Sequence, residues 1–434
     1  MVDAKALRKK IAHNDPWRAD EMDSAADGLN WAATDTLKSS GNFDADYAAL
    51  CRRVFVPAHP CLASRKAEET IEDAVANQKL TPSNAAILST VQVRNFAVDL
   101  TTLRIMMEAL KRSPDIDTLT FHNAGLTEAS VAILAEFLGQ TSVQSLGLDY
   151  NASPTSLLKT KVEEPAADAV NEIARKVHPS RSFARLVGEG SKLRALSLRG
   201  NRLGDFEAAA LAEAIEENTV LCSLNLFDNR ITDVGGAAFA KMLRLNTVLR
   251  GLSLARNQLT SESADAFGLL LAGGYEVSAL EQKKRLAVEA KIAAQNKIAQ
   301  DAMKKKKDAK LETRLPLSTV VVQTGGDGTS KVVAGGTRSL AALNLSENPE
   351  LGADGALVGL LSRIATARKD AAEAGGAGAG FGAGAGAVVL QELHLRRCRG
   401  YAAQEMDGDD TNIDDERGTL IALSFALRPT KVVV

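Results

Sequence analysis

The sequence predicts an α/β solenoid, a coil of parallel strands and helices, and three observations predict it. The motif L-x-x-L-x-L-x-x-N-x-[LI] occurs as LRALSLRGNRL, LCSLNLFDNRI and LRGLSLARNQL between Leu193 and Leu259. Its central leucines, Leu196, Leu224 and Leu252, stand 28 residues apart at each step (224 − 196, 252 − 224). The second half of each unit has apolar residues at helical spacing, Leu211 with Ile215 and Phe239 with Leu243. One strand, one turn and one helix at a fixed period of this size are the signature of a leucine-rich repeat.

The chemistry of one unit follows from its pattern. In Leu221 to Ile231, Leu221, Leu224, Leu226 and Ile231 point inward and Asn229 turns the chain off the strand. A buried asparagine there can bond the backbone of its own and the next turn, so stacked units build a ladder for otherwise stranded polar groups. The predicted ladder is Asn151, Asn201, Asn229, Asn257, Asn348 and Cys398. Units of 28 residues with a full helix resemble the ribonuclease-inhibitor-like repeats. That resemblance implies a horseshoe with parallel strands on the concave face and helices on the convex face.

In chain order, residues 1–115 read as an N-terminal arm and helical cap, with helical stretches at Arg65–Asn77 and Val98–Lys111. Trp17 and Trp31 either anchor the arm on a partner or fold back on the first repeat. Residues 116–272 are repeats, the first two degenerate, with Ala124 in the asparagine place of the first. An insertion at 152–192 breaks the register, with a helix around Ala166–Lys176. A second insertion, 273–338, carries a long charged helix from Glu276 to Glu312, free of proline and glycine. Its apolar residues hold no clean heptad. A β-hairpin then follows in Val320–Val333 around Gly325–Gly328. Repeats resume over 339–400, interrupted by a flexible glycine–alanine loop at 373–387. Residues 401–434 form an acidic loop and a C-terminal cap whose apolar end supplies the last strand.

Composition narrows the function. The chain has 434 residues and a net charge of −2, which gives no overall bias toward polyanions. No apolar run is long enough to span a bilayer, and the first residues break their apolar character too early for a secretory signal. Cys51, Cys61, Cys222 and Cys398 lie far apart and read as reduced intracellular thiols. The loop Gly325-Gly326-Asp327-Gly328 lacks the Gly-Lys-Ser/Thr ending of a phosphate cradle. The acidic run from Asp407 has asparagine and glycine where a calcium loop requires glycine and glutamate. The five histidines have no metal-ligand spacing. The sequence therefore predicts no catalytic residue, cofactor, metal or small-molecule substrate.

What remains is surface. Outward strand positions make a polar, shallow groove with anchors at Phe227, Arg199 and Arg396, and Asn225 and His394 are further candidate partner-binding residues on it. Lys304, Lys305, Lys306 and Lys307 end the long helix as a basic run. They either dock on an acidic surface such as the tails of tubulin, or keep the helix end soluble and complement its dipole. No aromatic residue interleaves with them, which argues against nucleic acid as a partner.

The order of parts carries a resemblance. The strong repeats SLRGNRLGDFEAAALAEAI, SLNLFDNRITDVGGAAFAKMLRLNTVL and LSLARNQLTSESADAFGLLL run straight into the charged helix EVSALEQKKRLAVEAK before the repeats resume. This arrangement resembles the leucine-rich-repeat-containing protein 71 family, best over Leu193–Lys291. The resemblance implies a non-catalytic scaffold of the motile cilium or flagellum, with protein partners in an axonemal complex, tubulin or microtubule-bound proteins among them. No membrane partner is expected, since no apolar run is long enough to span a bilayer. The alternative is an enzyme regulator, because solenoids of this class include activators of the Ran GTPase; Arg199, Arg202 and Arg230 are the arginines available for that role.

Overall fold

A computed structural model of the chain describes residues 37–63, 89–151, 181–305, 313–324, 330–374, 390–398 and 431–433. The chain divides into two compact units, Met1–Leu203 and Gly204–Val434. Each is built from leucine-rich repeats, parallel strands alternating with helices.

In the first unit, helix α1 (Phe43–Arg53) starts at Asn42, whose side chain accepts from the N–H groups of Asp44 and Ala45. Strands β1 (Thr90–Arg94), β2 (Thr118–His122), β3 (Ser145–Asp149) and β4 (Ala195–Ser197) follow, with α2 (Leu100–Leu110) and α3 (Glu128–Phe137) between the first three. The strands pair in parallel and in register, Val91 with Leu119, Leu119 with Leu146, and Leu146 with Leu196. Residues 90–110 are thus a repeat of their own where the sequence predicts a helical cap. Val91, Val93 and Val98 take the leucine places and are fully buried. Valine suits a strand, and Phe96 stands where the motif wants asparagine, so the leucine template does not register this unit. The predicted helices Arg65–Asn77 and Ala166–Lys176 lie outside the described residues.

The second unit contains α4 (Asp205–Glu216), β5 (Ser223–Asn225), α5 (Asp233–Leu243), β6 (Gly251–Ser253) and α6 (Ser261–Ala272). Next come β7 (Gly273–Glu276), α7 (Ala279–Lys305), β8 (Val320–Thr324) and β9 (Ser330–Gly335). The unit continues through β10 (Ala342–Asn344), α8 (Ala356–Ala374), β11 (Glu392–His394) and β12 (Lys431–Val433). Leu224, Leu252, Leu343, Leu393 and Val432 stack in one register through β5, β6, β10, β11 and β12. Their inward neighbours Leu226, Leu254, Leu345 and Leu395 are fully buried. The predicted loop at 373–387 lies outside the described residues from Gly375 onward.

The insertion 273–336 leaves this stack untouched, because β6 pairs directly with β10. It departs and returns at one neck, where a Cβ on Gly273 would come 2.5 Å from the nitrogen of Gly336. β7, β9 and β8 form a three-stranded antiparallel sheet around it. Glu276, placed by the sequence in the long helix, is instead the last residue of β7. The helix begins at Ala279, one residue after Ser278, whose Oγ accepts from the N–H of Glu281. Replacing residues 274–335 by a short glycine linker is expected to leave the repeats folded. Exposing Leu245, the apolar partner of Ile292, should cost about 1–2 kcal/mol. Urea unfolding with far-ultraviolet dichroism checks this, and a chain that no longer unfolds cooperatively would contradict it.

Candidate protein-interaction surface

Three ladders hold the repeats together, and they determine which side chains are left to face outward. The first is the asparagine ladder. Asn348, fully buried, accepts from the N–H groups of Asn257 (3.0 Å) and Leu259 (3.2 Å) and donates to the carbonyls of Leu254 (3.1 Å) and Leu345 (2.8 Å). Asn257 accepts from Ile231 N–H and donates to Leu226 and Leu254. In the first unit, Asn151 accepts from Ala124 N–H and donates to Phe121, and Asn201 donates to Leu148. Asn229 donates to Leu226 within its own repeat. Where these bonds cross between repeats they reach the preceding one, not the next turn as the sequence suggests. Cys398 continues the series with its thiol toward the Leu345 carbonyl at 3.5 Å. Burial, partly offset by hydrogen bonds from Asn348 and Glu347, pushes that thiol up to about 11, so it remains an S–H donor at neutral pH.

A second ladder, which the leucine motif does not announce, joins the helix ends. Asn246 donates to the carbonyls of Ile215 and Asn218, while its Oδ1 accepts from Val248 and Leu249 N–H. Asn218 accepts in the same way from Val220 and Leu221. Its signal in the sequence is Asn-Thr-Val at 218–220 and again at 246–248. A third ladder caps the helices. Asp205 accepts from Thr232 N–H and Oγ1 and from Gly235 N–H, and Asp233 does the same for Thr260 and Ser263. Gly235 is required there: a Cβ would sit 2.8 Å from the Asp205 carboxylate and 2.5 Å from Ile231.

Burial alone would raise the Asp233 carboxyl, but hydrogen bonds from Ser263 and Thr260 outweigh it and hold the group below its ordinary value of 3.8. A depressed carboxyl stabilises the folded state above the unfolded value, and the contribution is lost as pH falls through the folded one. The stability difference between the wild type and Asp233→Asn should therefore be constant near neutral pH and shrink below about pH 4. Urea titrations at several pH values test this; a gap that widens in acid would refute it.

With inward positions filled, the outward strand positions define the candidate surface. In the first unit they include Thr120, His122, Asp149, Ser197 and Arg199. Asp149 accepts from Ser197 Oγ at 2.6 Å and from the Arg199 N–H at 3.2 Å. His122 meets the edge of Tyr150 at a centroid distance of 5.1 Å. In the second unit, Asn225 accepts from Phe227 N–H, and Asn344 likewise accepts from Ser346 N–H. The asparagine side chains are thus engaged with their own turns. Phe227 and His394 are half-buried, and Arg396 is exposed. His394 Nε2 lies 3.4 Å from a Glu392 carboxylate oxygen. β6 and β10 separate β5 from β11, so Asn225 with Phe227 and His394 with Arg396 form two patches about 14 Å apart.

Of the basic run, Lys304 is exposed, 3.7 Å from Asp301, and Lys305 is the last residue of α7. Lys306, Lys307, Trp17 and Trp31 lie outside the described residues.

One further column has no side-chain signature. The residue before each ladder position is left-handed: Tyr150, Gly200, Asp228, Arg256, Glu347 and Arg397 all have positive φ. The conformation aims its N–H at the following strand, as from Asp228 to Ala255, Arg256 to Ser346 and Glu347 to Arg396. This repays a conformation that non-glycine residues seldom adopt. In the second unit the side chains alternate in sign, Arg256 to Asp228 at 3.2 Å and Arg397 to Glu347 at 3.7 Å. Exposed pairs of this kind contribute at most about 1 kcal/mol. They give the surface a striped charge pattern more than they stabilise it.

Among the described residues, no three His, Cys, Asp or Glu side chains group to hold a metal, and no helix is long and apolar enough to cross a membrane. Stacked parallel strands, buried leucine layers and an asparagine ladder define a leucine-rich-repeat solenoid, a fold whose members serve as protein–protein interaction modules. A family model described as Leucine Rich repeat matches residues 217–240, from just past α4 through β5 and most of α5. No curated protein matches the chain.

Proposed function

We propose that the chain is a non-catalytic scaffold of the motile cilium or flagellum, docked by protein–protein contacts onto an axonemal, microtubule-bound complex. The observation that carries the scaffold reading is the division of labour across the strands. Among the described residues the inward strand positions are spent on apolar layers and ladders, while outward positions offer small polar side chains with scattered anchors at Arg199, Phe227 and Arg396. Such a surface suits a broad protein partner better than a small molecule. The cilium enters through the resemblance in repeat order and helix placement. The test is affinity capture from demembranated flagella with the full chain as bait. Co-recovery with the salt-extracted axonemal fraction is expected; recovery solely in the detergent-soluble matrix would overturn the placement.

A further inference from the structure

The three-stranded sheet of the insertion, in the order β7-β9-β8, treats its two edges differently. β7 has two glycines, a register shift between Gly273 and Tyr275, and Glu276 lying 3.4 Å from Lys331. Bulges, glycines and charges are the devices by which sheet edges resist pairing. β8 has none of them. It reads Val-Val-Val-Gln-Thr and pairs with β9 without irregularity from Val320–Ala334 to Thr324–Ser330.

Gly335 donates its N–H to the Thr319 carbonyl, which fixes the alternation of the ladder. Thr319, Val321 and Gln323 turn their main chain toward β9, and Val320, Val322 and Thr324 turn theirs outward. No hydrogen bond reaches the outward groups of Val320 and Val322 from any described residue. The valine side chains at 320, 321 and 322 are 39%, 41% and 62% exposed.

We propose that β8 is a docking edge, on which an extended, uncharged strand of a protein partner adds beside Val320–Thr324. The main chain determines the class of occupant, because N–H and C=O groups presented at every second residue are met by another extended backbone. Valine on both faces selects β-branched or aromatic neighbours. The stretch Leu315–Thr324 has no charged residue, so an acidic or basic peptide gains nothing there. A second copy is a poorer occupant, since two-fold pairing through five residues buries little of the roughly 800 Å² per partner that stable dimers use. The proposal rests on the scaffold reading and adds to it the element that binds and the chemistry of the bound segment.

The test titrates the full chain into Thr-Val-Thr-Val-Thr-amide carrying an uncharged dye on its N-terminus and follows anisotropy. Saturable binding is expected, weakened about tenfold or more by Val322→Pro, which removes one outward N–H without touching the inward ladder. Val322→Lys should weaken it similarly through the charge. Amide exchange should slow at Val320 and Val322 on peptide addition but not at Val321. Absence of binding, or equal binding by wild type and Val322→Pro, would overturn the proposal. A wild-type dimer in sedimentation that Val322→Pro abolishes would assign the edge to a second copy and overturn it too. In the flagellar capture, partners retained equally by wild type and Val322→Pro would overturn the role of β8 while leaving the scaffold reading intact.

Discussion

Asn348→Ala is expected to lower the unfolding free energy of the second unit by about 4 kcal/mol. The side chain is fully buried and serves four main-chain groups in two successive turns: Asn257 N–H, Leu259 N–H, Leu254 C=O and Leu345 C=O. Alanine leaves the two N–H groups buried without their acceptor, at about 1–3 kcal/mol for each group that water cannot reach. It also takes one donor from each carbonyl, since Asn257 still donates to Leu254 and the Cys398 thiol to Leu345. Relaxation and entry of a water molecule recover part of that sum. Asn348→Asp discriminates between packing and hydrogen bonding, since it preserves the volume and the acceptor but loses the donor. It should fall between alanine and wild type. Chemical denaturation followed by dichroism measures both, and a midpoint for the alanine variant equal to wild type would mean that Asn348 is not a ladder residue.

That ladder is legible in the sequence because a polar residue recurring inside an apolar motif must find its hydrogen bonds in the backbone around it. The neighbouring strained column is not, because Tyr150, Asp228, Arg256 and Glu347 share a backbone conformation and no side-chain chemistry. Gly200 is the exception, and its reason is local: a Cβ there would lie 2.3 Å from the ring of Tyr150. The repeat at 90–110 escapes the leucine template because its strand is written in valine and its ladder place holds Phe96. The docked stripe of α7 escapes for a related reason. Its buried and half-buried face runs through Arg285, Val288, Ile292, Asn296 and Ala299, a spacing of three and four broken by two polar residues. Periodicity read from hydrophobicity alone passes over such a stripe. The interaction surface is legible as a set of positions, but its division into patches depends on strand order, which brings β10 next to β6 across an insertion.

Arg285→Met is expected to release α7 from the repeats without unfolding them. The Arg285 side chain is 3% exposed and holds the insertion at its centre. One guanidinium nitrogen donates to the Arg244 carbonyl and to the Tyr275 hydroxyl, and the other to the carbonyl and hydroxyl of Ser318. Glu281 lies 3.6 Å away as counter-charge, and Arg244 stacks over the Tyr275 ring at 4.2 Å. Replacing a buried ion pair by apolar groups is often neutral, but here most partners are main-chain carbonyls and hydroxyls that would stay behind unpaired. The remaining contacts are modest: ion pairs of Lys284 with Glu216, Lys291 with Glu217 and Glu281 with Arg244, a hydrogen bond from Arg314 to Thr247, and the small cluster of Leu245, Ile292 and Leu317. A loss of about 3 kcal/mol, roughly a hundredfold in the opening equilibrium, therefore suffices to free the helix. Arg285→Lys should rescue little, because a single ammonium cannot span groups arranged for a planar fork. Hydrogen exchange would show faster amide exchange across 279–305 with unchanged protection in β5, β6 and β10. Unaltered exchange in α7 would show that Arg285 is not what holds it, and loss of protection throughout the unit would show that the insertion is integral to the stack.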